Sequence, residues 1–196
     1  MKKEILLATN NIGKVKELEN MLGDNYNILT LKDINCDIDV IEDGSTFEEN
    51  AKKKSIEIFN ATNIPCIADD SGLCVEYLNG YPGVFTKRFL GENASQTERN
   101  ENLLTKLKDC PYDKRDASFI CNIAYYDGVN LISCEGKITG KISKKRKGEN
   151  GFGFDEILIP NGYTKTLAEL TLEEKNNMSA RCEAIKKLKT SLDKLN

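Results

Sequence analysis

Asp69 and Asp70 stand side by side in Ala68-Asp69-Asp70-Ser71-Gly72-Leu73, directly after the short apolar run from Ile64 to Ala68. Two carboxylates followed by a hydroxyl are hard oxygen donors, suited to Mg²⁺ rather than zinc. A strand end followed by glycine is where α/β proteins commonly build a site, and this segment is expected to form a tight turn at such an end. Asp, Ser and Gly are also ordinary turn residues, so a solvated acidic turn fits the same letters. The chain contains no histidine. Ser-His-Asp and Cys-His mechanisms are therefore excluded, and the general base must be a carboxylate, lysine, tyrosine or bound water. Cysteines at 36, 66, 74, 110, 121, 134 and 182 form no Cys-x-x-Cys pair. They read as reduced thiols rather than as zinc ligands.

Three cations fall on apolar helix faces. At 100° per residue Lys54 shares a stripe with Phe47, Ala51 and Ile58, whereas Lys52 and Lys53 fall outside it. Lys14 aligns with Leu18 and Met21, and Arg181 with Ile185, Leu188 and Leu192. Any one of them could snorkel to water. Three near helix N-termini instead suggest one shared anion, most simply a polyphosphate. The turn Thr9-Asn10-Asn11-Ile12-Gly13-Lys14 has the makings of a phosphate cradle, although asparagine-rich turns also cap helices. It is not a Walker A loop, because Ala8 replaces the first glycine and Val15 the final Ser/Thr. Gly151-Phe152-Gly153-Phe154-Asp155 interleaves glycine with aromatics, which suits either stacking on a base or a bulge with two core phenylalanines. Lys144-Lys145-Arg146-Lys147 reads as a solvated basic loop.

The elements that must position these residues follow from periodicity. Ile5–Ala8 is expected to be a strand, Lys14–Leu22 a helix and Asn27–Leu31 a second strand, a βαβ opening. Lys32–Ser45 is loop-like, with room for a short strand at Ile38–Ile41. Thr46-Phe47-Glu48-Glu49 caps a helix running to about Asn60, and Ser95-x-x-Glu98 caps another to roughly Lys108. Strands are expected at Pro65–Ala68, Leu73–Tyr77 and Asp155–Ile159, with a turn cluster at Asn79–Gly83. Ala117–Tyr126 and Asn130–Ser143 form a hairpin around Asp127-Gly128. A helical turn at Leu167–Leu170 and a helix over Met178–Leu195 complete an α/β chain with a mixed sheet.

A length of 196 residues indicates one domain over 1–196, or one domain with two lobes. A net charge of −3 disfavours a general nucleic-acid binder. No apolar run approaches a membrane span, and Ile5–Ala8 is too short for a secretory signal, so a cytoplasmic protein with no membrane partner is expected.

Together these motifs resemble the inosine triphosphate pyrophosphatase family, from Leu7 to about Leu188. The landmarks are Ala8-Thr9-Asn10-Asn11-Ile12-Gly13-Lys14, Glu42-Asp43-Gly44-Ser45-Thr46-Phe47-Glu48-Glu49-Asn50-Ala51 with Lys54, and Ala68 to Leu73. Further on come Tyr81 to Phe89, Gly151 to Asp155, Ala168-Glu169-Leu170, and Glu174-Lys175-Asn176. The resemblance implies an elongated mixed β-sheet flanked by helices, two lobes with a central active-site cleft, and a homodimer. It also implies Mg²⁺-dependent hydrolysis of non-canonical purine nucleoside triphosphates (ITP, dITP, XTP) to the monophosphate and pyrophosphate. Carried over, Thr9, Asn10, Asn11, Ile12, Gly13, Lys14 and Lys54 hold the triphosphate. The resemblance implies that Glu42 and Asp70 bind Mg²⁺, that Asp70 activates the attacking water either directly as base or as a metal ligand orienting a metal-bound hydroxide, and that Ser71 and Arg88 touch substrate. Phe152 stacks on the purine, with Gly153, Phe154, Asp155, Lys175, Ala180 and Arg181 completing the base pocket.

The chain departs from the family where Ser179-Ala180-Arg181 replaces Ser-His-Arg, Phe154 replaces Tyr or Trp, Glu156 stands at a common proline, and Thr86-Lys87-Arg88 replaces Ser-Ala-Arg. Ala180 in particular bears on base selection. It also motivates the competing expectation, a nucleotide-binding protein with weakened or relaxed catalytic specificity. The retained Glu42, Asp70, Lys14 and Lys54 argue against that alternative.

Overall fold

The computed structural model describes residues 2–9, 11–91, 93–176 and 178–195. Six strands form one mixed sheet: β1 (Lys3–Leu7), β2 (Tyr26–Thr30), β3 (Cys66–Val75), β4 (Asp116–Tyr126), β5 (Leu131–Ile142) and β6 (Leu158–Pro160), in the order β2-β1-β3-β4-β5-β6. The helices are α1 (Ile12–Leu22), α2 (Phe47–Thr62), α3 (Gln96–Lys106), α4 (Leu172–Asn176) and α5 (Ala180–Asp193). The expected α/β class with a mixed sheet flanked by helices is therefore observed. β1 pairs parallel with both β2 and β3, and β5 antiparallel with β6. The chain divides into two compact units. The first comprises Met1–Asp70, Cys121–Gly136 and Ala180–Asn196, and the second Ser71–Ile120 and Lys137–Ser179.

In the first unit, Leu6, Leu31, Val40, Ile58 and Cys66 form a buried cluster. α1 begins where the Asn11 side chain accepts the Gly13 amide at 2.9 Å, and it ends at Gly23, whose φ is +73°. α2 begins where the Thr46 hydroxyl accepts the Glu49 amide. The Glu49 carboxylate reaches one residue beyond a standard capping box and accepts both the amide and the hydroxyl of Ser45. α5 buries Ala184, Ile185, Leu188 and Leu192 on one stripe. Its first turn sits so close to β5 that a Cβ at Gly136 would lie 1.9 Å from the Ala180 carbonyl oxygen. Only glycine admits that approach.

The second unit is built on Leu73, Leu103, Leu107, Ile142, Phe154, Ile157 and Leu158. Ser95 and Glu98 form the reciprocal capping box of α3 that the sequence predicts. Arg115 is buried, and its guanidinium donates to the carbonyls of Leu107, Ile142 and Ser143.

Three expectations need correction. Asp69 to Gly72 is not a tight turn between two strands. It lies inside the ten-residue strand β3, because the buried Asp69 finds cationic partners and Gly72 stays extended. The Thr86 hydroxyl accepts the Leu73 amide, and the chain reverses later, around Asn79 to Pro82. Ile38 to Ile41 forms no strand, although Val40 still packs into the core. Asp155 to Ile157 forms a turn closed by Leu158 N–H on the Phe154 carbonyl, so β6 starts only at Leu158.

Candidate active site

The first unit gathers the charged side chains around β3. Asp69 is 7% exposed, and its carboxylate accepts Lys14 Nζ at 2.9 and 2.8 Å. Arg181 Nη2 reaches the same carboxylate at 3.3 Å, and Arg181 Nη1 reaches Glu17 at 3.4 Å. Lys54 Nζ donates to Glu42 Oε1 at 2.7 Å and to the Asp69 carbonyl oxygen at 2.5 Å. Burial is the largest influence on Asp69 and pushes its pKa up, but the charges of Lys14, Arg181 and Lys54 outweigh it and hold the carboxyl below its usual range. Burial is the largest influence on Arg181 and pushes its pKa down, but Asp69, Cys121 and Glu17 together outweigh it and raise the value. The nearby Cys121 thiol is pushed up to about 12 by burial and by Asp69, which rules it out as a thiolate nucleophile.

The helical-face expectation holds for Lys54. Its neighbour Lys53 pairs instead with the exposed Asp43, and Lys52 with Glu48 one turn away on α2. Among the described residues the buried Arg181 Nε–H has no hydrogen-bond partner. Thr9 and Asn11 are engaged locally: the Thr9 hydroxyl accepts the Asn11 amide, and Asn11 caps α1. Gly13 is exposed in the first turn of α1, whose amides favour an anion. Ile12 is the first residue of α1, and Asn10 lies outside the described residues.

Asp70, half-buried, accepts Asn50 Nδ2 at 2.9 Å. Asp70, held by Asn50, and Glu42, held by Lys54, are two carboxylates that could supply oxygen ligands. Among the described residues no group of three or more acids, cysteines or histidines could hold a metal. Mg²⁺ commonly uses one or two carboxylates and completes its shell with water and substrate phosphates, so this donor set fits it.

The second unit holds the glycine-aromatic loop. Its two phenylalanines part company. Phe152 is 78% exposed, whereas Phe154 is buried and stacks on Phe89. Asp155 accepts the Phe152 amide at 3.0 Å and Lys175 Nζ at 2.5 Å. Gly151 has φ +106°, and a Cβ there would fall 2.2 Å from both Asp155 Oδ2 and Lys175 Nζ. The buried Asn100 donates to the Gly153 carbonyl and to Glu156, which also binds Arg146. Glu156, at the family's proline position, therefore braces the loop instead of stiffening it through its backbone. Ser71 follows Asp70 in β3, and Arg88 lies 5.2 Å from the Phe85 ring. Ala180 is buried at the start of α5.

Sequence reasoning missed Asn50, Asn100 and the braces Glu156 and Arg146, and it read Asp69 only as a hard oxygen donor beside Asp70, whereas the structure makes it the buried partner of Lys14 and Arg181. Asn50 was within reach, since it lies three residues after Phe47 and four before Lys54, on the stripe that singled out Lys54.

Residues 5–191 match the model of the Ham1 family. A dITP/XTP pyrophosphatase of Clostridium perfringens is 46% identical over 97% of both chains, and that of Bacillus subtilis is 40% identical over 97% of this chain and 98% of its own. The solved Ham1 protein of Staphylococcus aureus superposes with a TM-score of 0.93 at 39% identity, covering 99% of this chain and all of that one. With this match running nearly end to end, the chain belongs to the Ham1 family.

Proposed function

We propose that this protein hydrolyses non-canonical purine nucleoside triphosphates, ITP, dITP and XTP, to the monophosphate and pyrophosphate. The observation that carries this reading is the convergence of Lys14, Lys54 and Arg181 on Asp69, one residue from the carboxylate of Asp70. The names of the Clostridium and Bacillus relatives support the substrate class.

Lys14 and Lys54 exchange part of their contact with Asp69 and Glu42 for phosphate oxygens, and so neutralise charge that grows as the α–β bridge breaks. Asp70 accepts a proton from the water that attacks the α-phosphorus, and pyrophosphate departs. Glu42 and Asp70 would hold Mg²⁺, which draws electron density from the phosphate oxygens when bound. In the second unit the exposed Phe152 offers an aromatic face for stacking on the purine, and Lys175, held by Asp155, offers a donor for its polar edge. In this reading residues 1–196 act as one catalytic domain in the cytoplasm. A homodimer belongs to the same reading through the family resemblance.

Pyrophosphate release from ITP, XTP, dITP, GTP and ATP tests the proposal. With Mg²⁺ the first three should be cleaved far faster than ATP, and EDTA should stop turnover. Equal rates for ATP and ITP would contradict the substrate class.

A further inference from the structure

Asn50 is fully buried in the first turn of α2, and its side-chain amide has two polar ends, both used. Nδ2 donates to Asp70 Oδ2 at 2.9 Å, while Oδ1 accepts the Gly44 amide at 2.8 Å. Gly44 lies two residues after Glu42 and two before the Thr46 cap. Its backbone presses onto the helix so closely that a Cβ would stand 2.7 Å from Asn50 Oδ1 and 2.8 Å from Glu49 Cβ. One planar amide thus ties the loop carrying Glu42 to the strand carrying Asp70. One turn further along α2, Lys54 makes a parallel tie between the Glu42 carboxylate and the Asp69 carbonyl.

We infer that Asn50 is a positioning residue that fixes the separation of Glu42 and Asp70 before a divalent cation arrives. The inference rests on the pyrophosphatase reading above, in which those two carboxylates hold Mg²⁺. A donor on Oδ2 orients the Asp70 carboxylate. An amide suits the position because it donates to a carboxylate and accepts from a backbone N–H at the same time. Leucine, of similar volume, can do neither. Groups that hydrogen-bond a metal ligand typically change metal affinity roughly tenfold to hundredfold when removed.

The test is Mn²⁺ binding, followed by electron paramagnetic resonance, to the whole chain with an α,β-methylene analogue of ITP present. Asn50→Leu should weaken Mn²⁺ binding by roughly tenfold or more. Gly44→Ala, which disturbs the same contact from the loop side, should act in the same direction. Ser55→Ala is the control for loss of a buried polar group on α2, since its hydroxyl only serves the Lys52 carbonyl. It should leave Mn²⁺ affinity unchanged. Turnover should follow the binding: Asn50→Leu should need more Mg²⁺ for half-maximal rate, with the KM for ITP at saturating Mg²⁺ within about twofold of the parent. Unaltered Mn²⁺ affinity in Asn50→Leu would overturn the inference while leaving the pyrophosphatase reading intact. Loss of cooperative melting in both Asn50→Leu and Gly44→Ala would overturn it too, by making the amide a determinant of folding. A parent protein that neither binds Mn²⁺ nor releases pyrophosphate would instead remove the reading beneath it.

Discussion

Lys53 and Lys54 are neighbours in sequence with opposite prospects. Lys54 is enclosed by Glu42 and the Asp69 carbonyl with a side chain 14% exposed, whereas the Asp43 partner of Lys53 is 65% exposed. An exposed pair contributes about 0–1 kcal/mol, so Lys53→Met should leave kcat/KM for ITP within roughly twofold. Lys54→Met removes the cation facing the phosphates and should lower kcat/KM by about a hundredfold or more, a loss of about 2.7 kcal/mol in transition-state stabilisation. Equal effects of the two would dismiss the assignment. Asp70→Asn keeps the shape of the side chain and removes the base, so turnover should fall by orders of magnitude with the melting temperature little changed. The contrast between the two lysines was legible in the sequence, because helical phase alone separates them. Asp69 was harder to read. Its role depends on Lys14 and Arg181, which lie 55 residues before it and 112 after it, and no local pattern announces that meeting.

The elements carry the next layer of constraint. The loop Gly151 to Asp155 folds back on itself so that Asp155 can hold both the Phe152 amide and Lys175. Gly151→Ala would force a Cβ into that ion pair at a backbone angle costing about 1–3 kcal/mol by itself. It should raise the KM for ITP more than it lowers kcat, which steady-state kinetics would register. A KM unaltered by Gly151→Ala would separate this loop from the base. Most elements were legible from caps and periodicity: α2, α3 and the β4–β5 hairpin begin within a residue or two of their predicted limits. β3 was not legible, because Asp-Asp-Ser-Gly has turn composition, while its place in the sheet between β1 and β4 and the cation partners of Asp69 are both tertiary. The Phe152–Phe154 loop was half legible. Alternating glycine and phenylalanine suggested both a stack and a core, and each phenylalanine takes one of those fates.

At the scale of the molecule, the buried Asp69 couples the site to stability. Its folded pKa lies below the ordinary 3.8 of an aspartate, so its contribution is fully present above that value. The contribution is lost as the pH falls below 3.8 and through the lower folded value. Urea unfolding should therefore show a loss of stability on acidification from pH 5 to pH 3 that is smaller in Asp69→Asn. At pH 7 the same substitution strands Lys14 and Arg181 and should destabilise by about 3–5 kcal/mol, as removal of one partner of a buried pair does. An Asp69→Asn protein as stable as the parent at pH 7 would show that Lys14 and Arg181 do not depend on this carboxylate. The chain has no histidine to add a transition between pH 5 and 8, so the acid limb should report carboxylates alone.

The most direct test of the central claim is hydrolysis of ITP in ¹⁸O-labelled water, with both products analysed by mass spectrometry. Attack at the α-phosphorus, with the cations around Asp69 binding the triphosphate and Asp70 taking the proton, predicts one pyrophosphate per IMP and the label in IMP alone. The reaction should vanish in Asp70→Asn. Label in pyrophosphate, release of orthophosphate with IDP, or an Asp70→Asn protein that keeps more than a few per cent of the activity would contradict the account.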